Sequence, residues 1–334
     1  MGVYIIAEAG VNHNGSLKLA KELVDMAKEC GADAVKFQTF KAEESTSSKT
    51  EKAEYQKQND ATEESQLEML KKLELPFGDF GTLKKYCEDK KIDFISTPDG
   101  IESLEYLMKI DVPFIKIGST EVTNLYFLEI IAKTLKPLIL STGMSTLGEV
   151  EKAVEVIRKN GNDNITLMHC TTDYPTEIRD VNLNAMVTLK NAFKLPVGYS
   201  DHTEGFEAAV AATALGAVYI EKHITLDKNM QGPDHKASMP PEKFKQYVEC
   251  IRNTECLLGD GRKKPTQHEI SIMNQVRRSI LSVRKLNKGT IISKDMLCYK
   301  RPGNGIPPEY TDILVGRELK RDLEKEEVIK WEDI

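Results

Sequence analysis

Pro196-Val-Gly-Tyr-Ser-Asp-His-Thr203 and Val218-Tyr-Ile-Glu-Lys-His223 decide the fold of this chain. Each is a short, nearly continuous apolar run that closes on a histidine, His202 in the first and His223 in the second. Consecutive apolar residues read as a strand covered on both faces, because a strand with one face in water alternates. Both imidazoles then fall at one end of a single sheet. Imidazole is the commonest protein ligand for a catalytic divalent metal, and two fixed ligands leave coordination positions open for substrate or water. A metal site is one reading of the pair; a hydrogen-bonded histidine at each strand end is the other.

The same strand-then-polar pattern recurs upstream, at residues 3–8, 34–38, 94–97, 114–118, 138–141 and 166–169. Between the runs, helical spacing appears at 17–30, 80–90, 101–109, 125–134, 147–159, 183–193, 206–215 and 241–258. Strand and helix alternating about eight times is the signature of a closed (β/α)8 barrel, an α/β fold. Its catalytic groups come from the C-terminal ends of the strands. Glu8, Lys36, Gln38, Thr97, Ser119, Glu121, Ser141, His169, Ser200, His202 and His223 are therefore expected to face one mouth.

Composition narrows the function. The chain has 334 residues, enough for a barrel of about 250 residues plus a small extra unit. A net charge of −6 argues against a nucleic-acid partner, which calls for a basic face. No basic-then-apolar leader and no long apolar run is present, so neither secretion nor a membrane is expected. Six cysteines without Cys-x-x-Cys spacing read as reduced thiols in the cytoplasm. Cys170, beside His169, reads more simply as a small filler than as a nucleophile. Lys36 and Lys116 interrupt apolar strands and Arg301 sits in a glycine-rich turn, so a small anionic substrate is expected. The alternative for the two lysines is a buried ion pair with Glu8 or Glu121.

Beyond residue 260 the pattern changes. Residues 1–262 are assigned to the barrel, 263–277 to a linker with a short helical piece, and 278–334 to a β-rich module with strand candidates at 279–283, 290–292 and 297–300. A module of that size buries little core.

Several motifs in combination point to a family: Ile6-Ala-Glu-Ala-Gly-Val-Asn-His-Asn-Gly15, Val35-Lys-Phe-Gln-Thr39, Lys116-Ile-Gly-Ser119, Ser141-Thr-Gly-Met144, Ser200-Asp-His-Thr203, Glu221-Lys-His223, Gly232-Pro-Asp234 and Lys300-Arg-Pro-Gly-Asn-Gly305. Over essentially its whole length the chain resembles the sialic acid synthases, phosphoenolpyruvate-condensing enzymes with an antifreeze-like (SAF) C-terminal domain. The resemblance implies that His202 and His223 bind manganese or magnesium. It implies that Lys36, Thr97, Lys116, Ser119, Ser141 and Ser200 hold phosphoenolpyruvate. An open-chain acetamido-mannose would lie against Glu8, Gln38, Asn59, Tyr174, His223 and Asp234. Glu121 would handle the water that adds at C2, and Arg301 would reach the barrel of a partner in a domain-swapped homodimer. The product named first is N-acetylneuraminate, made from N-acetylmannosamine. The alternative is N,N'-diacetyllegionaminate, from 2,4-diacetamido-2,4,6-trideoxymannose. More distant alternatives are a metal-dependent aldolase and a non-catalytic sugar-binding protein. The chain departs from the common pattern at Asp99, Thr120 and Thr172.

Overall fold

Eight strands form one sheet: β1 (Tyr4–Gly10), β2 (Ala34–Phe40), β3 (Asp93–Asp99), β4 (Ile115–Ile117), β5 (Leu138–Ser141), β6 (Ile165–His169), β7 (Val197–Asp201) and β8 (Tyr219–His223). The computed structural model describes residues 2–51 and 65–334. Every ladder in the sheet is parallel, in the order β3-β2-β1-β8-β7-β6-β5-β4, and β4 packs beside β3 to close the circle. This is the (β/α)8 barrel. The chain divides into two compact units, residues 1–259, which hold the barrel, and 260–334.

Side chains alternate along a strand, and that period of two builds the site. Outward positions such as Ile5, Val35, Phe37, Leu140, Leu167 and Val197 join the large core against the helices. Inward positions are sorted by height. Ile6, Ala34, Ile95, Phe114, Ile139 and Met168, with Tyr4 and Tyr219, form a separate apolar plug within the barrel. One step further along the same strands stand Glu8, Lys36, Thr97, Lys116, Ser141, Ser200 and Glu221, so the plug closes the barrel below and the polar layer opens above it.

The helices follow from local signals. Ser16 caps the helix Leu17–Glu29 by accepting from the Leu19 N–H, and Thr146 with Glu149 forms a capping box at Leu147–Lys159. Leu23, Val24 and Ala27 bury one face of the first helix against the sheet, about 1.5–3 kcal/mol for each large side chain. The helix Gln66–Leu73 is not among the segments read from sequence. It carries a Ser65–Glu68 capping box, and Met69 and Leu73 pack with Val11 and Phe40 beside the mouth.

In the second unit, β9 (Ser279–Ser282) and β10 (Leu297–Lys300) pair antiparallel over a core that includes Ile280, Leu297, Ile306, Leu323 and Ile329. Residues 290–292 form no strand; a single bridge joins Ile291 to Glu318. The stretch read as a linker contains the helix Gln267–Val276.

Candidate active site

The mouth of the barrel holds a cavity of about 350 Å3, within the range of small-molecule sites. Its floor is charged. The Lys36 ammonium lies 3.0 Å from Glu8 Oε2 and 3.6 Å from Glu221 Oε2, and the Lys116 ammonium lies 3.6 Å from Glu221 Oε1. All four side chains are almost fully buried. Lys116 donates to Ser141 Oγ at 2.7 Å, Lys36 to Thr97 Oγ1 at 3.3 Å, and Ser200 Oγ to Glu221 Oε1 at 2.9 Å. Burial works against the charge on Glu221, but Lys116 and Lys36 outweigh it and hold the carboxylate below its usual range. Burial lowers Lys116. Burial also raises Glu8 despite the neighbouring Lys36.

Ser119 stands at the side of this floor, accepting from the Gly143 N–H at 2.9 Å with Cys170 Sγ 3.3 Å away. Gly143 has to be glycine, since a Cβ there would sit 2.3 Å from Thr172 Oγ1 and 2.9 Å from Ser119 Oγ. At Gly10 it is the backbone that favours glycine, with φ at +52°. A Cβ at that position would lie 3.4 Å from Glu8 Oε1, 3.6 Å from Gln38 Nε2 and 3.8 Å from Asp234 Oδ2, in the space where these three polar groups converge. Gln38 donates to Glu8 Oε1 at 3.1 Å. Burial pushes the Asp234 carboxyl up to about 7, with the Glu8 charge adding to it. The loop carrying Asp234 is clasped by the N-terminal motif. Asn14 donates to Gln231 O at 2.9 Å, and Asn12 donates to Ile224 O and Ser238 Oγ, each at 2.8 Å.

His202 and His223 stand side by side with ring centroids 5.5 Å apart, and the Tyr174 ring lies 4.2 Å from the first and 5.6 Å from the second. His202 Nδ1 donates to the Thr171 carbonyl at 2.6 Å. A carbonyl only accepts, so the free lone pair of this imidazole is on Nε2. Burial lowers His202 to about 4 and His223 well below its ordinary value. Two neutral imidazoles side by side, one with its tautomer fixed from behind, match what a divalent cation requires. Among the described residues no group of three or more His, Cys, Asp or Glu side chains is arranged to hold a metal, so the pair would leave the remaining coordination positions to substrate and water.

Val11, Met69, Leu70 and Leu73 add an apolar stretch of wall to the lining, alongside the polar Ser45, Thr46 and Gln66. Among the described lining residues the only lysines or arginines are Lys36 and Lys116, both on the floor.

Of the expected residues, the structure gathers Glu8, Lys36, Gln38, Thr97, Lys116, Ser119, Ser141, Tyr174, Ser200, His202, His223 and Asp234 around one cavity. Glu121 is beside it and does not line it. Its carboxylate is held by Asn124 Nδ2 at 2.7 Å, and burial, with Asp99 adding, raises its pKa. His169 is a correction: it occupies an outward position of β6, where its Nε2 meets Val181 O at 2.7 Å, because its neighbours Met168 and Cys170 take the inward ones. Asn59 lies outside the described residues. Arg301 is exposed just after β10, in the second unit. Sequence reasoning missed Glu221 as the partner of both lysines, although its spacing of two from His223 puts it on the same face. It also missed the wall helix.

Residues 23–263 match the NeuB family and residues 277–334 match the SAF domain. The chain belongs to the NeuB family. It is 48% identical over 328 residues to the N,N'-diacetyllegionaminic acid synthase of Campylobacter jejuni subsp. jejuni serotype O:2, covering 98% of both chains. It is 48% identical over 338 residues to the enzyme of the same name from Legionella pneumophila, covering 100% of this chain and 95% of that one. Among solved structures it resembles the N-acetylneuraminic acid synthetase of Leptospira borgpetersenii serovar Hardjo-bovis in complex with citrate, at 35% identity and a TM-score of 0.72, over 83% of this chain and 93% of that one. As a NeuB-family protein it is an enzyme, a synthase of sialic-acid-type sugars. No helix among the described residues is long and apolar enough to cross a membrane.

Proposed function

We propose that this NeuB-family enzyme condenses phosphoenolpyruvate with an open-chain acetamido sugar, and that the sugar is 2,4-diacetamido-2,4,6-trideoxymannose, giving N,N'-diacetyllegionaminate and phosphate. The observation that carries this is the two-sidedness of the cavity. Lys36 and Lys116, with Thr97, Ser119, Ser141 and Ser200, offer charge and hydroxyl donors suited to a phosphorylated anion. The wall of Val11, Met69, Leu70 and Leu73 offers apolar surface suited to a 6-methyl and acetamido methyl groups, and no described cation stands there for a sugar phosphate. N-acetylmannosamine, with a hydroxyl at C6, suits that wall less well. The relatives at 48% identity carry the name of the legionaminate enzyme, which supports the same choice.

In this reading C3 of phosphoenolpyruvate attacks the aldehyde carbon, water adds at C2, and phosphate leaves with cleavage of the C–O bond. His202 and His223 would hold a manganese or magnesium ion, whose chemistry when bound is polarisation of the aldehyde. Lys36 and Lys116 neutralise the phosphate and carboxylate as charge redistributes. Glu8, Gln38 and Asp234 orient the sugar hydroxyls around the space left by Gly10, and Tyr174 lies against the imidazoles. Glu121, its carboxyl raised, takes the proton of the attacking water once it leaves Asn124. Arg301 is supplied by a second copy of the chain. Co-expressing His223→Ala with Arg301→Ala should then rebuild about a quarter of the sites in randomly mixed dimers. Steady-state phosphate release with each of the two sugars tests the acceptor. The diacetamido sugar is expected to show a kcat/KM higher by about tenfold or more, as differences of a few apolar atoms allow. Equal values, or a preference for N-acetylmannosamine, would overturn the choice of sugar.

A further inference from the structure

We propose that the buried pair Asp201–Lys222 is a register clamp that keeps His202 and His223 abreast for a divalent cation; it rests on the reading of those imidazoles as ligands. Asp201 and Lys222 are partners in the β7–β8 ladder, and each directly precedes one of the histidines. Their side chains point away from the cavity, are 0% and 2% exposed, and meet at 3.2 Å. Around them every polar group is engaged. Asp201 Oδ1 accepts from the Thr203 N–H at 2.9 Å and from Thr203 Oγ1 at 2.8 Å, while Tyr247 donates to Asp201 Oδ2 at 3.0 Å. Lys222 donates to the Thr203 carbonyl and lies 5.4 Å over the Tyr247 ring.

A buried ion pair is a poor source of net stability, because desolvation cancels much of the attraction; fixing register is its best-attested use. Register is what this site needs. A slip of one residue between β7 and β8 exchanges the inward and outward sets, turning a histidine out of the cavity and a charge into it. On the inner face, among the described residues, the one side-chain tie between these strands one step below the histidines is Ser200 to Glu221, and both belong to the polar floor. The outer pair fixes the same two strands without entering the cavity. Asp201 and Lys222 are thus positioning residues.

The test is manganese binding by the full-length protein, read by electron paramagnetic resonance, with the number of coordinated imidazole nitrogens counted from their spin-echo modulation. The unmodified protein should show two. Lys222→Met removes the link but leaves Asp201 its bonds to Thr203 and Tyr247, and Asp201→Asn leaves Lys222 its bond to the Thr203 carbonyl. Both should raise the manganese Kd by about tenfold or more, the scale of losing a group that orients a ligand, and lower the nitrogen count. Lys222→Arg should recover most of the affinity. Each variant is measured below its unfolding transition, and two disabling variants are made so that one may fail to fold without ending the test. If a folded variant binds manganese with the original Kd and two nitrogens, the pair is merely structural and the clamp is wrong. If the unmodified protein binds no manganese, the ligand reading itself falls, and the clamp with it.

Discussion

The floor and the wall of the cavity are built by opposite means. The floor is made of inward strand positions, fixed by the ladders on either side, and its charges neutralise one another through Lys36, Glu8, Glu221 and Lys116. The wall is a helix, Gln66–Leu73, held by a small apolar cluster with Val11 and Phe40. Ladders place groups to within fractions of an ångström, as binding a fixed anion and moving its electrons requires. A helix on an apolar cushion exchanges side chains at low cost, as a change of acceptor requires. The proposed reaction puts chemistry on the floor and choice of sugar at the wall.

The largest effect should come from the floor. His223→Ala, or chelation of the wild type, should lower kcat by a factor on the order of 10² to 10³, the scale at which loss of one electrophilic stabiliser registers. Manganese should restore only the chelated wild type. Full activity after exhaustive chelation would show that turnover needs no metal. Next, Lys116→Met should raise the phosphoenolpyruvate KM by about tenfold or more, for a charge-assisted contact of about 1.5–3 kcal/mol. The acceptor KM should stay put; if both constants rise together, floor and wall are not separable.

A smaller effect is expected at the wall. Leu70→Gln should cut the preference for the 6-deoxy sugar by about fourfold, from roughly 0.8 kcal/mol per buried methyl-sized group, with phosphoenolpyruvate kinetics unchanged. A change in the phosphoenolpyruvate KM would show that the wall reaches the anion. The last effect is on stability and leaves turnover aside. Folded Asp234 keeps its proton up to about pH 7, against an ordinary value of 3.8. Between those values the native state binds more protons than the unfolded chain, so this residue makes stability fall as pH rises. Asp234→Asn should therefore melt higher than wild type at pH 8, by about 3 °C or more, and the gap should close near pH 4. A constant difference across that range would mean that Asp234 is solvated.

Most of the floor was legible in the sequence because a barrel strand exposes its period of two, and a polar residue two positions beyond an apolar inward one has to stand at the mouth. Glu8 after Ile6 and Lys36 after Ala34 are such cases. Taking every polar residue at a strand end to face the mouth, without regard to that period, wrongly put His169 inside. Glu121, expected at the mouth from its place after β4, stands on the short helical turn Ser119–Glu121, where strand alternation no longer applies. The wall was not legible. Its helix, Gln66–Leu73, is short and has only two buried residues, Met69 and Leu73, and the surface they cover exists only once Val11 and Phe40 are in place.

In the proposed reaction the floor breaks the C–O bond of phosphoenolpyruvate while the wall holds the sugar that makes this possible. Phosphoenolpyruvate carrying oxygen-18 at the bridging position, incubated with the enzyme and manganese, tests it in one measurement. Phosphate is expected to be released only when an acetamido-mannose acceptor is present, and to carry the heavy oxygen. Phosphate without the label, or phosphate released equally without a sugar, would contradict it.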